Sequence, residues 1–165
     1  VTTDDYKRSG MDRGHMCPAG DNRWHWKAMQ ESFYMTNICP QNHNLNRGDW
    51  KELEDACRLW TKKEGKLYIV CGQILYRQKH RTIGRKHKVT VPEAFFKVIL
   101  STRNGHPKAI GFIFKNLSGN HPLKNYVNSV DEVERITGID FFPALPDDVE
   151  KKVEAMQDLN LWSFR

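Results

Sequence analysis

Long apolar runs are missing from this 165-residue chain: none approaches the ~20 residues a bilayer-spanning helix needs, so no membrane insertion is expected. Internal repeats, low-complexity tracts and a Pro/Gly-rich linker are also missing. That leaves a single domain over residues 1–165 as the expectation. No cysteine pair forms a CxxC motif and no Cys/His cluster has zinc-finger spacing, which argues against a structural zinc site. The four cysteines, at 17, 39, 57 and 71, permit two disulfides in three connectivities, or equally four buried thiols. The opening residues Val1-Thr2-Thr3-Asp4-Asp5 are polar and carry no signal-like stretch, which leaves open a leader or upstream segment removed before the mature chain.

Apolar material is plentiful. Hydrophobic residues make up 39% of the chain, with eight Phe, five Tyr and five Trp, enough for a core and too much for a disordered tail. Lys and Arg number 26 against 20 Asp and Glu, a net charge of +6. Residues 77–88 (RQKHRTIGRKHK) contain Arg77, Lys79, Arg81, Arg85, Lys86 and Lys88 and no acid, so this window alone accounts for the +6. A concentrated basic loop on a neutral body suits a polyanion, with counterion release driving association; the alternative is a solvated loop without a partner.

Residues 24–31 suit one or two helical turns. Residues 33–36 (FYMT) read as a strand that ends in a turn over 37–40. Trp50, Leu53, Cys57 and Trp60 repeat at the helical period, with Asn46 or Asp49 as N-cap and Gly65 as the stop. Residues 66–75, 95–100 and 109–114 read as strands, the last two joined by a hairpin turn at Arg103-Asn104-Gly105. Ser129 caps a second helix, with Glu132 at its third position and Gly138 closing it; Pro146-Asp147-Asp148 opens a last one. Strands that return on one another with helices inserted between them predict an α+β fold with a largely antiparallel sheet.

The densest polar segment is SGMDRGHMCPAGDN, residues 9–22. Within it Asp12-Arg13-Gly14-His15 sets a carboxylate, a guanidinium and an imidazole around a permissive glycine. Histidine accepts a proton near neutrality, and arginine clamps phosphate bidentately. On these four residues alone a surface turn is the better reading. Asn37, Gln41, Asn42, Asn44 and Asn46 then crowd the approach to the Trp50 helix, and amide oxygens are hard, neutral ligands for magnesium. A helical wheel places Arg47, Glu54 and Arg58 within about 40° of one another beside the apolar stripe, with Glu54 and Arg58 spaced as an ion pair.

The segments DRGHM, FYMTNICPQ and LNRGDWKELED, in that order, resemble the signature of the sugar-non-specific DNA/RNA endonucleases of the ββα-metal superfamily, the group of Serratia-type nucleases and endonuclease G. YIVCGQILY, VPEAFFKVIL and ITGIDFFPALPDD are similar to its later strands and C-terminal segment, so the likeness runs over residues 10–148. It implies a central antiparallel sheet flanked by helices with a ββα-metal finger, and hydrolysis of DNA and RNA to 5′-phosphate ends with Mg2+, for which Mn2+ substitutes. Carried over, His15 is the general base and Asn46 the sole direct protein ligand of the metal. Asn37 supports the histidine or its water, and Glu54 holds the metal's water shell. Arg13 and Arg58 contact the phosphate, and Asp12 fixes the turn that aims His15. Arg77, Lys79, Arg81, Arg85, Lys86 and Lys88 grip the backbone.

The family carries a longer N-terminal portion than the eleven residues before Asp12. The rival expectation is therefore a catalytically impaired nucleic-acid-binding relative. Endonuclease G relatives raise the expectation of a homodimer. The unpaired look of the cysteines and the lack of an organellar leader point toward a bacterial protein, secreted or periplasmic. If His15 and Asn37 face one another, Cys17 and Cys39, each two residues further on, come within bridging distance; free thiols are the alternative.

Overall fold

The computed structural model describes residues 1–162; the last three residues of the expected domain, 163–165, lie outside it. In chain order the regular elements are β1 (Asp12–His15), α1 (Trp26–Glu31), β2 (Ile38–Gln41), α2 (His43–Arg47), α3 (Asp49–Glu64), β3 (Tyr68–Ile74) and β4 (Thr82–Ile83). There follow β5 (Val89–Thr90), β6 (Ala94–Ser101), β7 (Lys108–Lys115), β8 (Val127–Asn128), α4 (Val130–Thr137) and α5 (Asp147–Glu154).

A strand covered by helices on both faces carries apolar residues without alternation, and β6, buried along its whole length, is apolar except at Lys97 and Ser101. The main sheet has the order β3-β6-β7-β8, with every pairing antiparallel. Side chains alternate across it with period two. Phe95, Ile99, Ile110, Phe112 and Phe114 meet Trp50, Leu53, Cys57 and Trp60 of α3. Ala94, Phe96, Val98, Leu100 and Ala109 meet Val130 and Val133 of α4, Val153 of α5 and Phe141. The α+β architecture with helices on both faces is thus the one expected. Lys97 breaks the apolar run yet is only 2% exposed. It lies on the α3 face with its Nζ 4.7 Å from the centre of the Trp50 ring, a cation–π contact that repays part of its desolvation.

Most helix boundaries fall where their end signals stand. Helix α3 stops at Gly65 (φ 82°), and Ser129 caps α4 by accepting a hydrogen bond from the Glu132 N–H at 3.2 Å. Gly138 ends α4 in the left-handed region, α5 begins at Asp147, and β6 turns into β7 through Arg103–Gly105.

Four local expectations are corrected. First, the strand foreseen at 33–36 is a turn leading into a 3-10 segment, and the turn foreseen at 37–40 is β2. Phe33 and Tyr34 stay more than half exposed and belong to no strand ladder, whereas Ile38 is buried and its strand has a partner. That partner is DRGH itself, which forms β1 and no turn: the register runs from Asp12 opposite Gln41 to His15 opposite Ile38. Pro40 is tolerated because its carbonyl faces the Asn116 amide (3.0 Å), so its missing N–H also points away from β1.

Second, neither Asn46 nor Asp49 is an N-cap. Asn46 lies inside α2, which Asn42 caps by accepting hydrogen bonds from the N–H groups of Asn44 (3.0 Å) and Leu45 (3.3 Å). Third, Arg47 does not share a face with Glu54, because Gly48 (φ −106°, ψ −110°) separates α2 from α3. A Cβ on Gly48 would stand 2.5 Å from the Asn44 carbonyl oxygen, so glycine is needed there for close approach. Fourth, of the two alternatives for Cys17 and Cys39 the bridge is the one that fails: all four cysteines are free thiols, though only Cys57 is buried. Cys39 sits opposite Gly14, and the chain at Cys17 has already run past the end of β1.

Candidate active site

The end of β1, the segment that follows it, α2 and α3 enclose a hollow of about 460 Å³ lined by His15, Ala19, Arg23, Asn46, Lys51, Glu54, Asp55 and Arg58 among others. Four of the expected site residues, from three separate elements, therefore share one cavity.

His15 ends β1 with its ring edge-on to Phe33, centroids 4.7 Å apart. Burial, reinforced by the Arg13 charge, holds its pKa below the ordinary 6.5. Its Nε2 is shielded from solvent and has no hydrogen-bond partner among the described residues. A neutral imidazole with a free nitrogen can accept a proton. Gly14 seats this strand: a Cβ there would meet the Gln41 Oε1 at 2.2 Å.

Asn46 donates from Nδ2 to Asp12 Oδ2 at 2.9 Å, which turns its Oδ1 the other way as a free acceptor. Asp12 also receives His43 Nδ1 (3.0 Å) and lies 3.8 Å from Arg47 Nε. Partial burial raises the Asp12 pKa, but the hydrogen bonds from Asn46 and His43 and the nearby positive charges outweigh it and hold the carboxyl below its usual range. Asp12 therefore anchors α2 to β1, where the sequence suggested that it fixes a turn.

Asn37 works through the backbone. Its Oδ1 accepts from the Cys17 N–H (2.9 Å), and its Nδ2 donates to the carbonyls of Cys17 (2.8 Å) and Ser32 (2.8 Å), so it splints the chain just beyond His15 and makes no bond to the ring. Burial pushes the Glu54 carboxyl up against the opposing charges of Lys97 and Arg58. Arg58 does not pair with Glu54: it bonds Asp21 at 2.8 Å and Asp55 at 2.6 Å.

Arg13 lies outside this cavity. It lines an adjoining one with Lys7, Met11, Asp12, Asn46 and Arg47. Met11 is shared in turn with a third hollow, lined by Tyr76, Arg77, Arg81 and Lys115 among others. The three hollows are neighbours through Asn46 and Met11, and each has cations on its walls. Lys79, Arg85, Lys86 and Lys88 are exposed but line none of the three. The basic segment is ordered by the β4–β5 hairpin and by His87, whose Nδ1 lies 2.9 Å from the buried Asp5.

Arg23, Lys51 and Lys97 escaped the sequence reading, and Gln41, grouped there with the metal-binding amides, instead packs under Gly14. The lysine inside FFKVIL was the one available signal, since a charge within an apolar run needs a partner.

A strand pair bearing the histidine, followed by a helix bearing the carboxylate, is the arrangement of the ββα-metal nucleases. The chain matches the family described as DNA/RNA non-specific endonuclease over residues 1–148. It is 36% identical to Nuclease 1, mitochondrial, of Schizosaccharomyces pombe, covering 97% of this chain and 55% of that protein. Nuclease EXOG, mitochondrial, of Xenopus laevis is 38% identical, with 97% and 48% covered. Human Endonuclease G, mitochondrial, is 33% identical, with 87% and 52% covered. A chain from a crystal structure of the EndoG/EndoGI complex superposes with a TM-score of 0.83 at 31% identity, covering 90% of this chain and 66% of that one. The chain belongs to the DNA/RNA non-specific endonuclease family, and it spans about half the length of these curated relatives. The expected bacterial setting, secreted or periplasmic, is overturned: these relatives are mitochondrial nucleases of eukaryotes. The absence of an organellar leader was uninformative, because the sequence corresponds to only part of their length.

Proposed function

We propose that this chain is a divalent-metal-dependent endonuclease that hydrolyses phosphodiester bonds of DNA and RNA to 5′-phosphate ends, with Mg2+ as its ion and Mn2+ as a substitute. The observation that carries the reading is the shared cavity: His15, Asn46 and Glu54 on its walls, with cations in it and in the hollow beside it. His15 takes the proton from the attacking water, its lowered pKa keeping the ring unprotonated at neutral pH. Arg58 and Arg13 face the phosphate charge from the cavity and from its neighbour. Asn37 keeps the chain beyond His15 from shifting.

The donor set fits a hard cation. Asn46 Oδ1 is a neutral oxygen fixed by Asp12, and the nearby Glu54 can hold ion-bound waters, so one amide suffices for magnesium. When bound there, the ion supplies Lewis-acid charge to the phosphoryl group and the leaving 3′ oxygen. A homodimer belongs to the same proposal and is tested by light scattering.

Incubation with plasmid DNA and with RNA in Mg2+ tests the reading, alongside EDTA and Asn46→Ala controls. Cleavage of both substrates, reversible arrest by EDTA and loss of turnover in Asn46→Ala are expected. Activity that persists in EDTA would sink the metal mechanism. Binding without Mg2+-dependent cleavage would favour the impaired relative.

A further inference from the structure

On the sheet face away from His15, three carboxylates converge where α4 meets α5. Oxygens of Asp131, Glu134 and Glu154 all lie within 4.8 Å of one another. Glu154 is the telling member. It is 5% exposed, its Oε1 is shielded from solvent, and that atom has no hydrogen-bond partner among the described residues. Burying a carboxylate without a partner is costly, and cations are the usual remedy. Here none is supplied by the chain: among the described residues no Lys or Arg forms an ion pair with any of the three, and nearby Arg135 is taken by Glu132. The groups around Glu154 are Glu134, Glu150, Asp131 and Asp140, all acidic; burial, then these charges, push its carboxyl up to about 7. Its place as the last residue of α5 adds the negative end of the helix dipole. This accumulation of acid stands in a chain whose net charge is +6.

We propose that Asp131, Glu134 and Glu154 form a second divalent-cation site, separate from Asn46, that takes Ca2+ and ties α4 to α5. Calcium–oxygen bonds of 2.3–2.6 Å let one ion bridge oxygens up to about 5 Å apart. The oxygens, all within 4.8 Å of one another, lie inside that reach. Magnesium dehydrates reluctantly and keeps several waters, so a site of three carboxylates with one of them buried suits it less well. Asp131, exposed, leaves the site open to ion exchange, while buried Glu154 supplies the inner oxygen. The ion would fasten the two helices whose Val130, Val133 and Val153 cover that face of the sheet.

Calorimetric titration of chelator-treated protein with CaCl2 tests the site, using Asn46→Ala to remove any ion at the first cavity. One Ca2+ is expected in Asn46→Ala and none in Asn46→Ala/Asp131→Asn/Glu134→Gln. The Tm of the Asn46→Ala protein should rise by about 3–6 °C at Ca2+ tenfold above its dissociation constant, and the rise should vanish in the triple variant. Asp131→Asn alone, at an exposed position, covers the case in which a multiple variant fails to fold, and should weaken Ca2+ at least tenfold. No binding by Asn46→Ala at millimolar Ca2+, or unchanged binding after the substitutions, overturns the site. Equal affinity for Mg2+ overturns the calcium preference. If Glu154→Gln raises the ion-free Tm and Ca2+ adds nothing to the parent, the carboxyls share a proton and the proposal fails. None of these outcomes depends on nuclease activity.

Discussion

A base must be deprotonated, and for His15, the base proposed above, burial reinforced by the Arg13 charge favours the neutral ring. His15→Ala should retain nucleic-acid affinity while kcat falls by ~10²–10⁴, read from single-turnover cleavage beside gel-shift titrations. The sign of the pH effect follows: with the pKa lowered, the neutral form persists to lower pH, so the acid limb of kcat/KM should inflect below 6.5. Arg13→Gln removes the second cause of the shift and should move that inflection upward. An inflection at or above 6.5 in the parent protein contradicts the assignment. At this scale the sequence was legible where chemistry is local. His15, Asn46, Glu54 and Arg58 stood out by residue type and motif and line one cavity. Lys97 was not legible, and Gln41 was noticed as an amide but not as the side chain beneath Gly14. A lysine in mid-strand reads as solvent-facing until a tryptophan from another element covers it, and a glutamine beneath a glycine needs the strand register to be seen.

Periodicity made α3, β6 and β7 legible, because each carries its own hydrophobic pattern. The β1–β2 pair was not: each strand has four residues, one includes a proline, and the two are joined only by a register that tertiary packing selects. The break at Gly48 was equally hidden, since the Asn46 side of it looks like helix from either direction. Gly48→Ala forces a Cβ against the Asn44 carbonyl and should cost about 1–3 kcal/mol. It should also lower turnover by tilting α2, and with it Asn46, away from Asp12; thermal melts beside kinetics would show both losses. Unchanged Tm and kcat would mean that the two helices can fuse. The basic hairpin calls for a different measurement. Neutralising Arg81, Arg85 and Lys86 should flatten the slope of log K against log salt on duplex DNA by up to ~2.7 if all three touch phosphate. KM should rise more than kcat falls, and the cleavage pattern should not change, because phosphate contacts carry no base information. An unchanged slope would leave the hairpin as solvated surface.

For the whole molecule, the sheet separates two chemistries. One face carries α3 and the His15 cavity; the other carries α4, α5 and a group of acids. The N-terminal segment joins the basic hairpin to the body through Asp5, whose carboxyl is held at about 2 by the Thr2 N–H and, against its burial, by His87. A carboxyl lowered from 3.8 stabilises the fold above that pH and loses the effect as pH falls toward 2. Asp5→Asn should therefore lower the Tm at pH 6 and shallow the decline of stability between pH 3.8 and 2; equal melting of variant and parent at pH 6 would contradict this. Trp162 extends this tying-down to the other end. It is 1% exposed, 5.3 Å from Trp60 of α3 at an interplanar angle of 52°, with the Lys108 Nζ 4.6 Å above it. Two indoles that close and that tilted couple their excited states, so the folded chain carries its own circular-dichroism couplet. Undocking of the C-terminal segment from α3 would erase that optical signal even while the backbone spectrum stayed intact, which makes the pair a built-in reporter of whether the helix behind the nuclease cavity is fully seated.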